Sequence, residues 1–152
     1  MTRARVDFYL LADSGQEFRE RFACRLAEKA YKSGHRVLLV AADPAQAARL
    51  DELMWTFRQG SFIPHALVEE RDIEPVAIAV PGGAPLPENG ADEVLVNLTD
   101  ADLEHWERWP RVAEILDRRD PVVRAGRQRF RAYRDAGVAP HTHELQPAGS
   151  TR

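Results

Sequence analysis

Apolar residues in this chain form short continuous runs that alternate with stretches in which they recur every three or four positions. The first run, "VDFYLL", precedes a helical pattern that continues to about Ser33 and ends at Gly34, a common helix stop. The second run, "HRVLLVAAD", precedes Asp43 and Pro44, which suit an N-cap and a first helical position, and then another helical pattern. Strand, helix, strand, helix in this order predicts a βαβ unit and a mostly parallel sheet covered on both faces.

The start of the first helix carries a capping signal. Ser14 precedes the helical pattern, and Glu17 follows three residues later. This spacing matches a capping box, so we expect the Ser14 side chain to cap the helix.

Further elements are indicated downstream. "PVAIAV" and "EVLVNL" are typical of strands, and the Pro/Gly-rich "PGGAPLPENGAD" between them is typical of a surface loop. "GSFIPHALVEE" indicates a loop or an edge segment because Pro64 interrupts it, whereas "RVAEILDR" is compatible with a strand or a helix. Asp120 and Pro121 predict the start of a last helix, which ends at Gly137.

These elements predict one domain over residues 1–139. We expect an α/β, Rossmann-like three-layer fold with a mostly parallel central sheet. Residues 140–152 contain two prolines, a glycine and a serine and are expected to form a disordered C-terminal tail.

Composition narrows the function. The chain has 152 residues, a formal net charge of -3 and a pI near 6.0, which argue against a general nucleic-acid coat. The single cysteine, Cys24, excludes an internal disulfide, and its place in a helical pattern predicts a small buried side chain rather than a nucleophile. The apolar run near the start is too short for a signal segment or a membrane span, and we expect a cytoplasmic protein.

Catalytic and cofactor motifs are missing from the sequence. The first strand-to-helix turn reads "LADSGQEF", with one glycine and neither GxGxxG nor GxxxxGK[ST], so no nucleotide-binding glycine loop is expected. The five histidines form no HExxH, and no serine lies in a GxSxG elbow. We therefore expect no catalytic residue, no metal and no cofactor, and interpret the chain as a binding module.

The strongest functional signal is "VVRAGRQRFRAYRDAG" in the last helix. At helical spacing, one basic stripe contains Arg124, Arg127, Arg131 and Arg134. A stripe beside it contains Val123, Gly126, Phe130, Tyr133 and Gly137. Arg129 points elsewhere and is expected to be solvated. The pattern fits an amphipathic helix with its aromatic face in the core, or a groove for an acidic peptide that ends in an aromatic residue and its carboxylate.

Several segments together resemble the chi subunit of bacterial DNA polymerase III holoenzyme, over nearly the full length apart from the tail. They are "DFYLL", "GHRVLLVAAD", "QAARLDELMW", "GSFIPHAL" and "RQRFRAYRDAG". The combination LDExxW, SFxPH and a basic RxRxxAYR-like helix is specific, whereas each piece alone is weak. The resemblance implies a Rossmann-like fold without a nucleotide site and no intrinsic enzymatic activity.

The resemblance also implies partners. Members of this family bridge the clamp loader and single-stranded DNA-binding protein, one surface binding the psi subunit and another the acidic C-terminal tail of single-stranded DNA-binding protein. Contact with DNA itself is expected to be mostly indirect, and no membrane is implied. The residues implied for the tail site are Arg124, Arg127, Phe130, Arg131, Tyr133 and Arg134, with Leu116 as an apolar wall. Those implied for the psi surface are Trp55, Phe62, Pro64 and His65.

The chain departs from the family pattern at three of these helical positions. Phe130 stands where a tyrosine is familiar, Arg131 stands for a lysine, and Val123 occupies the place of a further lysine. For Trp55 and the "GSFIPHAL" loop, simple closure of the core is an alternative to an interface. Direct binding of single-stranded nucleic acid, with Phe130 and Tyr133 stacking on bases, and a degenerate Rossmann-like enzyme remain alternative functions.

Overall fold

The computed structural model describes residues 4–60, 62–70, 74–81, 93–103 and 106–147. Within these ranges, strands and α-helices alternate along most of the chain. The strands are β1 (Arg5–Leu10), β2 (Val37–Val40), β3 (His65–Leu67), β4 (Val76–Ala79), β5 (Val94–Asn97), β6 (Arg111–Leu116) and β7 (His141–Glu144). The helices are α1 (Gln16–Lys32), α2 (Pro44–Thr56) and α3 (Asp120–Asp135), and single 3-10 turns span Val68–Glu70 and Trp106–Arg108.

All of these strands join one sheet in the order β3-β4-β2-β5-β6-β1-β7, and every pairing is parallel. Every residue of β2, β4 and β5 is buried, as continuous apolar runs in a sheet covered on both faces require. The predicted α/β fold with a mainly parallel sheet is confirmed.

Helices cover the sheet on its two faces. Side chains of α1 and α2, including Leu50 and Met54, pack with Leu39 on one face. Tyr133 of α3 packs with Phe8 and Leu38 on the other. Cys24 lies fully buried in the first of these layers, as predicted.

The two predictions of a capping side chain have different outcomes. The Asp43 carboxylate accepts a hydrogen bond of 2.8 Å from the Gln46 N–H and caps α2, as predicted. The prediction that Ser14 caps α1 is wrong. The residue before α1 is Gly15, whose φ of +130° suits glycine, and no side chain caps this helix.

The prediction of a disordered tail from residue 140 is wrong for His141–Glu144, which pair in parallel with β1 as β7. His143 accounts for this docking: its Nε2 lies 2.9 Å from the Asp7 carboxylate, and its ring stacks on Tyr9 with centroids 4.8 Å apart. The domain therefore extends beyond residue 139. Residues 148–152 lie outside the described ranges.

Both segments that the sequence left ambiguous contain strands. "RVAEILDR" provides strand β6, and the proline-interrupted "GSFIPHALVEE" provides the edge strand β3. From residue 82 onward the Pro/Gly-rich loop lies outside the described residues. Among the described helices, none combines the length and apolar character that crossing a membrane requires.

Candidate functional site

A cleft of about 530 Å³ lies between α3 and the carboxyl ends of three adjacent strands. The register brings these ends together, because Leu10 of β1 pairs with Leu116 of β6 and with Glu144 of β7. In open parallel α/β sheets, ligands bind outside the carboxyl ends of the strands. The cleft is lined by Phe8, Leu10, Leu11, Ala12, Leu116, Asp117, Arg118, Val123, Gly126, Arg127, Phe130, Thr142, Glu144 and Leu145.

Gly126 sets the distance between α3 and the sheet beneath this cleft. It is buried, and a Cβ at this position would lie 2.5 Å from Cδ1 of Leu116. Real Cβ atoms do not approach so closely, so a larger residue at this position would force the Leu116 side chain to move.

Three predicted residues of the tail site line the cleft. Leu116 and Phe130 provide apolar walls, and the exposed Arg127 provides a cation. The Phe130 ring is held by Phe8, with centroids 5.1 Å apart. The cleft thus brings together a cation, an aromatic ring and an aliphatic wall from the predicted residues.

The other arginines of the basic stripe lie outside the cleft. Arg124, Arg131 and Arg134 are exposed on α3 and do not line it. Among the described residues, none of these three forms an ion pair. They form a positive ridge beside the cleft.

Tyr133 does not belong to the cleft, so the prediction that it contacts a ligand is wrong. Its side chain is 2% exposed, and its ring packs on Phe8 and Trp106. The hydroxyl donates a hydrogen bond of 2.6 Å to Oε2 of Glu114. Burial, followed by the neighbouring Glu114 carboxylate, raises the pKa of Tyr133, so the hydroxyl stays protonated.

The prediction that Arg129 is solvated is also wrong. Arg129 is 3% exposed, and its Nε donates to Oε2 of Glu114 at 3.0 Å. Glu114 also accepts a hydrogen bond from the Asn97 amide. The buried carboxylate therefore joins α3, β5 and β6, and Arg129 anchors the helix that carries the cleft.

The part of the cleft that comes from strand ends was not predicted from the sequence. Arg118 follows β6 and is exposed, while Leu10 and Leu145 belong to β1 and to the segment after β7. The signal that identifies Leu10 and Arg118 is their place at the carboxyl ends of predicted parallel strands. Leu145 has no such signal because β7 was not predicted.

The charge balance of the cleft favours an anion. Burial alone would raise the pKa of Asp117, but hydrogen bonds from the Arg119 side chain and backbone hold this pKa below its ordinary value. The charge of Asp117 is thus neutralised by Arg119. Among the residues that line the cleft, Glu144 is the one remaining acid that opposes the positive charges of Arg118 and Arg127.

A second feature, the aromatic patch of Trp55, Phe62 and Pro64, lies at the opposite edge of the sheet, next to β3. Trp55 is 53% exposed and Phe62 is 82% exposed, and their rings meet edge to face at 6.4 Å. Pro64 is exposed beside them. Closure of the core does not explain these side chains, because two of the three rings are largely in solvent.

His65 is not part of the exposed surface, so the prediction that it contacts a partner is wrong. Its side chain is fully buried beneath the patch, 4.5 Å from Trp55 between ring centroids. Its Nδ1 lies 2.6 Å from the Ile63 carbonyl oxygen, and its Nε2 lies 3.0 Å from that of Asp51.

The turn after β1 does not resemble a phosphate loop. Gly15 is its one glycine, and Glu17 in the first turn of α1 places a negative charge where a phosphate would bind. Over the described part of the chain, no group of three or more His, Cys, Asp or Glu side chains is arranged to hold a metal ion.

Comparisons with known proteins give a consistent result. The model of the family described as DNA polymerase III chi subunit, HolC, matches residues 1–141. The DNA polymerase III subunit chi of Pseudomonas aeruginosa is 41% identical over 141 residues, covering 93% of this chain and 96% of the relative. Those of Escherichia coli and Haemophilus influenzae are 32% and 26% identical, covering 89% and 87% of this chain and 94% and 91% of the relatives.

Among solved structures, domain 2 of the DEAD-box helicase Mss116p, bound to an RNA duplex, superposes with a TM-score of 0.62 at 9% identity. The match covers 94% of this chain and 65% of that one, just under two thirds of its length. At this identity the likeness concerns the fold alone, and it agrees with the Rossmann-like architecture.

Proposed function

The chain belongs to the DNA polymerase III chi subunit family, and from this premise we propose that it is a non-catalytic accessory subunit of DNA replication that links the clamp loader to single-stranded DNA-binding protein. The link on one side is the acidic C-terminal tail of single-stranded DNA-binding protein, held in the cleft beside α3. On the other side it is the psi subunit, held on the aromatic patch.

The proposal that the cleft binds the acidic tail rests on the composition of the cleft. Arg127 and Arg118 stand beside walls formed by Phe130, Leu116 and Leu145. A peptide that ends in an aromatic residue offers a ring for the apolar walls and a carboxylate for the arginines. Charge-assisted hydrogen bonds and burial of the ring would then act at the same point.

Titration of a synthetic acidic peptide with a C-terminal aromatic residue tests this proposal. Arg127→Ala should weaken binding by about 1.5–3 kcal/mol, or roughly 10- to 150-fold, because it removes a charge-assisted hydrogen bond. Added salt should also weaken binding of the peptide to the wild-type chain, since exposed charges are screened beyond about 10 Å at 0.1 M.

The matched control is Arg25→Ala. Arg25 is an exposed helical arginine on α1, which covers the other face of the sheet, so its removal changes the net charge equally without touching the cleft. Equal affinity of the wild type and Arg127→Ala would exclude this helix as the tail site.

The psi proposal rests on the exposure of Trp55 and Phe62. Aromatic side chains at the centre of an interface commonly contribute about 2 kcal/mol or more, so Phe62→Ala should reduce psi binding about 30-fold. Phe18, an exposed phenylalanine on α1, provides the control as Phe18→Ala. Copurification with a coexpressed psi subunit measures the difference, and an unchanged yield with Phe62→Ala contradicts the assignment.

Direct binding of single-stranded nucleic acid is the second candidate. The positive ridge of Arg124, Arg131 and Arg134 favours it, because these side chains are exposed and outside the cleft. Base stacking on Tyr133 does not support it, since that ring is buried. Oligonucleotide binding by the isolated chain, lost in Arg131→Ala but kept in Arg25→Ala, would distinguish this function from tail binding.

A further inference from the structure

Three consecutive charged residues, Asp117, Arg118 and Arg119, connect β6 to α3 and differ in their surroundings. Arg118 is exposed and lines the cleft. Asp117 also lines the cleft, although its side chain is fully buried. Arg119 is not among the residues that line the cleft, and its side chain is 38% exposed. The connection therefore presents one acid and one cation to a ligand and keeps the second cation outside the cleft.

Arg119 holds the Asp117 carboxylate with its side chain and its backbone. Its Nε donates to Oδ1 at 3.0 Å and to Oδ2 at 2.9 Å, and its Nη2 donates to Oδ2 at 2.7 Å. Its backbone N–H donates to Oδ1 at 2.9 Å. Hydrogen bonds between a guanidinium and a carboxylate in this forked arrangement are among the strongest in proteins. Both carboxylate oxygens of Asp117 are thus occupied by Arg119.

The neighbouring buried cation, Arg19, is engaged elsewhere. Its Nε donates to the Ile115 carbonyl oxygen, its Nη2 donates to that of Thr99, and its Nη1 pairs with Asp100 at 3.5 Å. Among the described residues, Arg119 is the one cation that forms an ion pair with Asp117. Without the charge of Arg119, a buried carboxylate would stand beside the ligand and repel an anion, and solvent would screen this repulsion poorly.

We propose that Arg119 is a positioning residue that makes the cleft selective for an anionic ligand without contacting that ligand. Its guanidinium cancels the charge of Asp117, and its two-sided hold on the turn directs Arg118 into the cleft. Arg118 then meets the anionic group of the ligand while Arg119 neutralises the acid that would oppose it. The inference rests on the proposed function, because it takes the ligand to be the acidic peptide that ends in an aromatic residue and its carboxylate.

A cycle of charge variants, titrated with this peptide at low ionic strength, tests the proposal. Arg119→Gln leaves the Asp117 charge unbalanced, so we expect affinity to fall at least about fivefold. Asp117→Asn keeps an oxygen for the Arg119 backbone N–H and removes the acid, so its affinity should equal or exceed that of the wild type. The double variant restores the charge balance and should bind within about twofold of the wild type.

A merely structural role of the pair predicts a different order, because each variant would then loosen the turn. Weaker binding by Asp117→Asn would overturn the proposal, as would a double variant that binds no better than Arg119→Gln. Unchanged affinity of Arg119→Gln would overturn it too. If Arg119→Gln does not fold, the comparison of Asp117→Asn with the wild type still decides between a role in charge balance and a structural role.

Arg5→Gln provides the matched protein control. Arg5 also pairs with a buried aspartate two residues away, Asp7, at 3.1 Å, and neither residue lines the cleft. This variant changes the net charge equally and should keep peptide affinity within about twofold of the wild type. A loss equal to that of Arg119→Gln would contradict a local effect of Asp117.

The same peptide with an amidated C-terminus provides the matched ligand. Because it lacks the terminal charge, Arg119→Gln should change its affinity by less than about twofold, and an equal loss for both forms of the peptide would overturn the proposal. Failure of the wild type to bind either form would contradict the proposed tail function and, with it, the ligand assumed here. Binding by the wild type without the expected order of variants contradicts the role of Arg119 alone.

Discussion

At the scale of single residues, the most informative difference from the sequence prediction is Arg129. The buried face of α3 contains Val122, Gly126, Arg129 and Tyr133, which are spaced four, three and four apart. The sequence pattern favours the neighbouring stripe through Phe130 as the apolar face, and it predicts a solvated Arg129 because an arginine rarely occupies a core position. Its partner Glu114 lies in the middle of the apolar run of β6. Each of these two charged residues, taken alone in the sequence, is unexpected at a core position, and only the fold brings the two side chains together.

Removal of Arg129 should therefore destabilise the domain. Deleting one partner of a buried ion pair leaves the other charge uncompensated, which costs about 3–5 kcal/mol. We expect Arg129→Ala near the lower end, since among the described residues its Nη1 and Nη2 have no hydrogen-bond partner and their loss removes no hydrogen bond. Urea unfolding measures the free energy change. Arg134→Ala, at an exposed position of the same helix, should stay within about 0.5 kcal/mol of the wild type. A similarly small effect of Arg129→Ala would contradict the buried pair.

Cys24 gives a second prediction at this scale, and here the sequence prediction of a small buried side chain holds. Burial, followed by the nearby Glu20 carboxylate, raises the pKa of the Cys24 thiol to about 12. The thiolate is the reactive form, so the folded chain should react with a thiol reagent at pH 8 at least about 100-fold more slowly than the urea-unfolded chain. Comparable rates in the two states would show that Cys24 is accessible in the folded protein.

At the scale of elements, the predictability of a strand follows from how it is buried. The runs that form β2 and β4 are apolar throughout, and every residue in them is buried. The sequence therefore identifies them as strands. β7 has the sequence "HTHE", in which no residue is apolar and none is buried. Its existence depends on the free edge of β1 and on the contacts of His143 with Asp7 and Tyr9, which are distant in sequence. No local pattern in the sequence indicates a strand of this kind.

Deleting β7 should impair the cleft more than the fold. A chain that ends after Ala139 loses the apolar wall of Leu145 together with Thr142 and the acidic Glu144 from the lining, but keeps α3 and the buried Val138. We expect its affinity for the acidic peptide to fall at least about tenfold, which corresponds to about 1.4 kcal/mol. A chain that ends after Pro147 keeps β7 and should bind like the full chain. If both truncated chains bind equally well, β7 is not a wall of the binding site.

At the scale of the whole molecule, the strand order separates the two surfaces. The aromatic patch lies next to β3 and the cleft next to β7, which are the two ends of the sheet order. With neighbouring strands about 4.8 Å apart, six spacings place these edges about 29 Å from each other. The surfaces also belong to different helical layers, since Trp55 lies on α2 and Phe130 on α3. Sequence order alone did not reveal this separation, because it depends on the crossovers that place β1 between β6 and β7.

This arrangement predicts that the two surfaces bind their proposed partners independently. Trp55→Ala should leave affinity for the acidic peptide unchanged within about twofold, and Arg127→Ala should leave psi binding equally unchanged, because substitutions this far apart seldom couple by more than about 0.5 kcal/mol. Peptide titrations of the chain alone and of its complex with psi measure the coupling directly. By reciprocity, any effect of psi on peptide affinity must equal the effect of the peptide on psi affinity. A tenfold change in peptide affinity on binding psi would mean that the sheet transmits a signal between its edges, and the protein would then be a switch between two states rather than a passive link.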